Sequence, residues 1–351
     1  MTENVRAYAA VSATEKLNPY RLERRTPRND DVTIEILYCG VCHSDLHTVR
    51  NDWGGTIYPI VPGHEIIGRV TSVGAAVSRF KVGDHVGVGC IVDSCGQCPA
   101  CEQGYEQHCP ESTYTYGSLD HRDGTISQGG YSEKVVVKQE YVLHIPDGLD
   151  LKGAAPLLCA GITTWSPLKA FNAGPGSKVA VVGLGGLGHM ALKLANALGA
   201  EVTLFTRSPG KEADARRLGA HNVVLSTDPA QMAAVAGQFN LIVDTVPYVH
   251  DLNPYIPTLS FKGSLALVGY LGPLEPALNS APIILGSKLL AGSLVGGIAA
   301  TQEMLDFCGK HNITSDIEVI NMQDINGAYE RMLKSDVKYR FVIDMASLKA
   351  E

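Results

Sequence analysis

The sequence predicts an α/β protein of two domains, one a doubly wound parallel sheet and the other an irregular β-barrel-like body. Three observations carry this. At 351 residues the chain exceeds what one ordinary core encloses. Its first 150 residues are β-branched runs punctuated by turn residues. From about Ala154 onward, short apolar runs alternate with helix-patterned segments.

In the first part, residues 32–36, 66–73 and 131–137 read as strands, the last following Gly129-Gly130. Residues 155–171 predict a helix pair broken at Pro167. The apolar run 178–183 suits a strand buried on both faces, and 187–198 has helical spacing with Gly199 as its stop. A strand at 201–206, a helix at 211–218 and strands at 222–225, 241–245 and 264–268 continue the alternation. The tail, 317–345, is mixed and is expected to rejoin the first domain. The predicted organisation is therefore 1–153, 154–294 and a return over 295–351.

Composition narrows the function. The net charge of −7 favours solubility and gives no sign of a nucleic-acid surface. The N-terminus is polar, and the most apolar stretch, 287–301, is interrupted by glycines and a lysine, so neither leader nor membrane span is predicted. Nine cysteines, an odd number with four crowded between 95 and 109, suggest metal thiolates in a reducing compartment, hence the cytoplasm.

Gly183-Leu184-Gly185-Gly186-Leu187-Gly188 follows an apolar strand and opens a helix, the context that gives G-x-G-x-x-G its meaning. Gly183 makes the turn, Gly185 admits a pyrophosphate, and Gly188 lets helix and strand pack closely. The helix start then offers free N–H groups to the phosphates. NAD binders carry Asp or Glu about 20 residues on. Here Thr206-Arg207-Ser208, followed by Lys211, stands at that strand end. Hydroxyls and cations suit a 2′-phosphate, which predicts NADP(H).

Cys95-x2-Cys98-x2-Cys101-x7-Cys109 matches a closed tetrahedral structural zinc site in a lobe near 90–125, with an iron–sulfur cluster as the alternative. Further candidates are scattered: Cys42 in Cys42-His43-Ser44-Asp45-Leu46-His47, His64 and Glu65 in Pro62-Gly63-His64-Glu65, and Cys159. Two thiolates and an imidazole would leave an open position for catalysis. Spacing alone does not select them over Cys39, Cys90 or Cys308.

These motifs resemble the zinc-containing medium-chain alcohol dehydrogenases. The likeness runs through Gly63-His64-Glu65-x2-Gly68-x5-Gly74, Cys42-His43-Ser44-Asp45, the four-cysteine lobe, Val82-Gly83-Asp84-x-Val86 and the glycine turn. Gln128-Gly129-Gly130-Tyr131 and residues 156–163 and 183–189 are similar to the cinnamyl-alcohol-dehydrogenase-like branch. The resemblance implies a Rossmann domain joined to a GroES-like catalytic domain, two Zn2+ per chain and NADP(H). It implies that Cys42, His64 and Cys159 hold catalytic zinc, with Glu65 as an alternate or nearby ligand and Asp45 orienting His64. It implies a proton relay from Ser44 through the nicotinamide ribose to His47. Thr163 would lie beside the nicotinamide, and Arg340 near Glu65 and the cofactor phosphates.

Trp53, Tyr114, Leu294 and Val295 fall where the family places pocket walls. Tyr114 stands where many plant relatives have tryptophan, which implies a broad apolar slot for aliphatic and aromatic alcohols and aldehydes. The resemblance also implies a homodimer paired through an edge strand within 288–296. The expected reaction is therefore NADP(H)-dependent alcohol oxidation and aldehyde reduction. Rival readings are an NAD-dependent polyol dehydrogenase and a non-catalytic zinc- and nucleotide-binding protein of the same fold.

Overall fold

The computed structural model describes residues 2–349, so the extreme ends of the expected ranges (residues 1, 350 and 351) lie outside the described residues. The chain forms two compact units, Met1–Cys159 with Gly296–Glu351, and Ala160–Val295.

The first unit begins with β1 (Glu3–Ala9) paired antiparallel to β2 (Asn18–Arg24). Then come β3 (Asp31–Val41), β4 (Ile66–Val73), β5 (His85–Val88), β6 (Ile91–Asp93), β7 (Thr113–Tyr114), β8 (Lys134–Lys138) and β9 (Leu143–His144). The long strand β3 is central: β4 and β8 both pair antiparallel to it. Register shifts along β3–β4 bend the sheet towards a barrel. Val32, Ile34, Ile36, Ile66, Val70, Val86 and Val88 fill its interior, so the β-branched runs supply both the strand preference and the core.

The second unit contains β10 (Lys178–Val182), β11 (Glu201–Thr206), β12 (Asn222–Leu225), β13 (Phe239–Asp244), β14 (Leu259–Leu267) and β15 (Leu289–Gly292), all parallel, in the order β12-β11-β10-β13-β14-β15. Residues 179–182 of β10 are wholly buried between β11 and β13, as an unbroken apolar run requires. Strand order reverses between β10 and β13, and ligands of such sheets bind at that switch point, beyond the strands' carboxyl ends.

The chain then returns to the first unit with β16 (Ile317–Asn321) and β17 (Arg340–Asp344). β17 pairs antiparallel to the end of β3, with Phe341 opposite Val41 and Val342 opposite Gly40.

Three expectations need correction. Residues 154–159 belong to the first unit, because the turn Ala155–Leu158 packs there: Cys90 Sγ lies 3.8 Å from the Leu158 carbonyl. Val295 groups with the second unit instead of opening the return. Pro167 does not break its helix, which runs from Ala160 to Ala170. The break comes at Cys159, whose φ of −128° and ψ of −67° leave the helical region. Pro167 removes one ladder bond, the one its N–H would have made to the Thr163 carbonyl, and the helix continues past it, with Phe171 N–H bonded to the Pro167 carbonyl at 3.0 Å.

Candidate functional site

Cys42 follows the end of β3 and caps the short helix His43–Val49. This places Asp45 in the helix's first turn with its side chain turned inward, fully buried. Its carboxylate accepts the Cys42 N–H at 2.9 Å and the Gly63 N–H at 3.0 Å, and lies 3.0 Å from His64 Nδ1. With Nδ1 held by a carboxylate, Nε2 is the nitrogen left to donate its lone pair. A fully buried carboxylate thereby fixes both the thiol and the imidazole.

Cys42, His64, Glu65 and Cys159 are all buried, and each offers a ligand atom within 4.8 Å of those of the others. The Cys42 and Cys159 sulfurs are 3.9 Å apart. Two sulfurs on one tetrahedral zinc, each at 2.3 Å, would be separated by about 3.8 Å. One Glu65 oxygen pairs with the guanidinium of Arg340, while Oε2 is buried without a hydrogen-bond partner among the described residues. Two soft thiol donors, an oriented imidazole and an unsatisfied carboxylate oxygen form a donor set that fits zinc.

The site's electrostatics fit the same ion. The bond from Cys159, assisted by His64, holds the Cys42 thiol well below its ordinary range despite burial. Cys159 is pushed well up by its bonds to Cys42 and Cys90. Burial lifts the Glu65 carboxyl to about 7 against the pull of Arg340. Without a cation the cluster thus favours one thiolate, Cys42, whose proton-holding neighbours Cys159 and Glu65 would give up their protons to a divalent ion.

The second cluster, Cys95, Cys98, Cys101 and Cys109, lies wholly on the lobe between β6 and β7. Cys98 and Cys101 sulfurs are 3.6 Å apart, across the one-turn helix Pro99–Glu102. Backbone N–H groups of Cys95 and Glu111 donate to Cys109 Sγ at 3.4 and 3.3 Å, the polarity a thiolate wants. Ser94 Oγ lies 3.1 Å from Cys101 Sγ, but among the described residues the candidate ligands that converge are the four sulfurs alone, which is the make-up of a closed set.

In the second unit, the glycine turn leaves β10 and enters the helix Gly188–Ala197. Gly183 has φ of +89°, and a Cβ on Gly188 would lie 2.1 Å from the Gly183 carbonyl oxygen. A Cβ on Gly185 would meet nothing within 4 Å, so that backbone is open to a ligand. Leu184 is buried, its carbonyl accepting from Lys211 Nζ at 3.0 Å. Gly186 and Leu187 complete the turn. Thr206 ends β11, its Oγ1 accepting the Ser208 N–H at 3.1 Å, and Arg207 and Ser208 are exposed beside it. Thr163 is buried in the helix Ala160–Ala170.

Ser44 Oγ lies 3.7 Å from Cys42 Sγ. His47, one turn on, pairs through Nδ1 with Asp52 at 2.8 Å and stacks near Trp53, ring centres 5.1 Å apart. Trp53 is half-exposed and Tyr114 is more covered; both belong to the first unit. Leu294 and Val295 belong to the second, beyond the end of β15, so the expected edge strand within 288–296 is limited to Leu289–Gly292.

Four participants were not anticipated. Asp52 gave no signal, since a carboxylate five residues after a helical histidine has no fixed partner. Cys90, whose thiol bonds to Cys159, was indistinguishable from other lone cysteines. The tyrosines around Asp45 looked like ordinary core: Tyr131 Oη lies 3.4 Å from its Oδ2, and the Tyr116 ring is 5.7 Å from that of His64.

Comparison with known proteins gives a consistent result. Residues 28–147 match the model of the alcohol dehydrogenase GroES-like domain, and 186–310 that of the zinc-binding dehydrogenases. The chain is 52% identical over 343 residues to a probable mannitol dehydrogenase of Medicago sativa, covering 97% of this chain and 94% of the relative. It is 52% identical over 349 residues to NADP-dependent alcohol dehydrogenase C 1 of Mycolicibacterium smegmatis, covering 99% of each. A solved cinnamyl alcohol dehydrogenase from Sorghum bicolor superposes with a TM-score of 0.94 at 47% identity, covering 98% of both chains.

Proposed function

Because the chain belongs to the zinc-containing medium-chain alcohol dehydrogenase family and is an oxidoreductase, we propose that it interconverts primary aliphatic and aromatic alcohols with their aldehydes using NADP(H). The observation that carries this reading is the buried convergence of Cys42, His64, Cys159 and Glu65 within 4.8 Å. When bound, zinc there supplies Lewis-acid polarisation of a carbonyl or hydroxyl oxygen, and the nicotinamide supplies or accepts hydride.

The chain's own residues do the rest. Cys42, His64 and Cys159 would hold the metal and Glu65 would be an alternate donor, in the pattern of a site that keeps one position for substrate. Asp45 keeps His64 in the metal-binding tautomer. Ser44, beside Cys42, holds the proton that the substrate oxygen gains or loses. His47, tied to Asp52 at the edge of exposure, exchanges that proton with solvent. Cys95, Cys98, Cys101 and Cys109 hold a second, structural zinc.

Residues 183–188 cradle the pyrophosphate, with Thr163 beside the nicotinamide. Thr206, Arg207, Ser208 and Lys211 bind the 2′-phosphate, since a guanidinium next to hydroxyls recognises phosphate where no carboxylate competes. Arg340 acts first on Glu65, its partner inside the first unit. Trp53, Tyr114, Leu294 and Val295 supply apolar substrate contacts.

A homodimer is supported by β15, the last strand of its sheet. Leu289 and Leu290 are exposed on that strand, and Ile284 and Leu285 on the short helix Ala281–Leu285 just before it, which suits pairing with a second copy. Nine cysteines outside any disulfide, six of them in the two candidate zinc sites, support a reducing, cytoplasmic setting. No helix among the described residues is long and apolar enough to cross a membrane.

The test is an aldehyde panel (hexanal, benzaldehyde, cinnamaldehyde) with NADPH and NADH, plus mannitol and sorbitol in the oxidative direction, run beside elemental analysis. Aldehyde turnover with NADPH and two zincs per chain support the reading. Polyol turnover with NAD and none with aldehydes overturns it.

A further inference from the structure

The Gln128-Gly129-Gly130-Tyr131 motif is not used by the chemistry above, yet it is bonded along its length to the turn that carries His64. Gly129 N–H donates to the Val61 carbonyl at 2.7 Å, Gly130 N–H to Gly63 at 2.8 Å, and Tyr131 N–H to Pro62 at 2.9 Å. In return Val61 N–H donates to Gln128 Oε1 at 2.7 Å. The two backbones touch so closely that a Cβ on Gly129 would lie 2.4 Å from the Pro62 carbonyl oxygen. Four hydrogen bonds thus set the path of residues 61–63, and Gly63 is itself tied to Asp45.

Something must hold the strap in turn. Arg24, at the end of β2, is buried, and both terminal nitrogens reach the strap at 2.6 Å: Nη1 to the Gln128 carbonyl, Nη2 to the Gly129 carbonyl and Ser132 Oγ. None of these acceptors is a carboxylate, and Arg24 Nε is buried without a partner among the described residues. Burial, aided by the charge of Arg25, lowers its pKa to about 9. Enclosing a cation with only neutral acceptors is costly, and an apolar side chain would fill the space without that penalty. What an apolar residue lacks is a rigid fork of donors that can clamp successive carbonyls.

We propose that Arg24 is a positioning residue for the catalytic metal site, clamping strap 128–132 so that the strap holds residues 61–64 and presents His64 to Cys42 and Cys159. The inference rests on the metal-site reading above. It adds a supporting layer beyond Asp45, reached through the main chain.

The experiment follows the metals, not turnover. Zinc-loaded wild type, Arg24→Met and Gln128→Ala are challenged with a chelator, and release of each zinc is timed with a chromogenic dye. Substitution of groups supporting a metal ligand typically weakens metal binding about 10–100-fold. The expected result is that Arg24→Met releases one zinc on the order of 10–100-fold faster, the four-cysteine zinc at the wild-type rate, with Gln128→Ala intermediate. Cobalt-substituted Arg24→Met should also show an altered thiolate-to-cobalt absorption band. Gln128→Ala removes only the side-chain bonds to Val61 and Pro59 and leaves the strap's three backbone bonds in place, so it decides the matter if Arg24→Met does not fold. Folded variants that release both metals at wild-type rates overturn the proposal. A wild type holding only one zinc overturns the metal-site reading instead.

Discussion

Glu65 and Arg340 form an ion pair within the first unit, both side chains almost wholly removed from solvent, at 0% and 6% exposure. The pair joins the metal cluster to β17, in the chain's returning segment. Breaking a buried pair by removing one partner costs about 3–5 kcal/mol, because the survivor keeps its desolvation penalty without its counter-charge. Arg340→Met should therefore destabilise the zinc-loaded protein by roughly that amount. Adding Glu65→Gln to Arg340→Met should restore part of the loss. Urea unfolding of the two single variants and the double completes the cycle; additive losses would show that the two side chains do not interact.

Ser44 is the hydroxyl nearest the catalytic thiols, 3.7 Å from Cys42 Sγ. In the proposed relay it is the first station for the substrate's proton, and its replacement leaves Cys42, His64 and Cys159 themselves in place. Ser44→Ala should lower kcat on the order of a hundredfold or more, with both zincs retained. Steady-state kinetics with metal analysis on one preparation checks this. An unimpaired variant removes Ser44 from the relay.

Arg207 is exposed at the end of β11, beside Thr206 and Ser208. A hydrogen bond to a charged group is worth about 1.5–3 kcal/mol, which converts to roughly 10–100-fold in affinity. Arg207→Ala should thus lower kcat/KM for NADPH by about 10–100-fold. The value for NADH should be nearly unchanged, since NADH lacks the phosphate. Wild-type enzyme equally efficient with both coenzymes would contradict the assignment.

The two halves of the molecule were unequally legible from sequence. The Rossmann half announced itself through local features: the run 178–183 suited a doubly buried strand, and the glycines needed their close approaches within six residues. The four-cysteine lobe was equally local. The catalytic set was not, because residues 42, 64 and 159 come together only through the bend of β3 on β4 and the turn Ala155–Leu158. Periodicity carries no trace of such contacts, and only family resemblance selected those cysteines over Cys39, Cys90 and Cys308. Pro167 misled for the opposite reason: a local rule was applied where burial of the helix on nearly every side outweighs one lost ladder bond.

His250 donates to Asp244, at the end of β13, with His250 Nε2 2.8 Å from a carboxylate that is nearly fully buried. The bond to Asp244 raises the imidazole pKa above its ordinary 6.5, outweighing partial burial. A folded-state pKa above the unfolded one means that the folded protein binds the proton more tightly. The pair's contribution to stability is therefore fully present below about pH 6.5 and is lost as pH rises through the folded value. His250→Gln should lie further below wild type in unfolding free energy at pH 6 than at pH 8.5. Denaturant titrations at both values measure this, and a gap that widens with rising pH would reverse the assignment.

The four-cysteine lobe does more than close on itself. Its Glu106 carboxylate accepts the Ile298 N–H at 3.1 Å, at the start of the helix Ile298–His311. A carboxylate there satisfies one of the helix's free donors and complements its dipole. A Cβ on Gly297 would lie 1.9 Å from the Gly104 carbonyl oxygen, so the lobe sits directly on that helix start. The lobe has few elements of its own beyond two one-turn helices, so a metal bound by its four cysteines would define its shape. Cys101→Ser should accordingly lose one zinc per chain, keep the one at Cys42, His64 and Cys159, and open residues 95–111 to protease. Releasing Glu106 and the lobe's packing should cost on the order of 2 kcal/mol, or about 4–8 °C in Tm for a unit of this size. Elemental analysis, limited proteolysis and thermal unfolding together check this, and a Cys101→Ser protein that kept both zincs would show that the lobe is not a four-thiolate site.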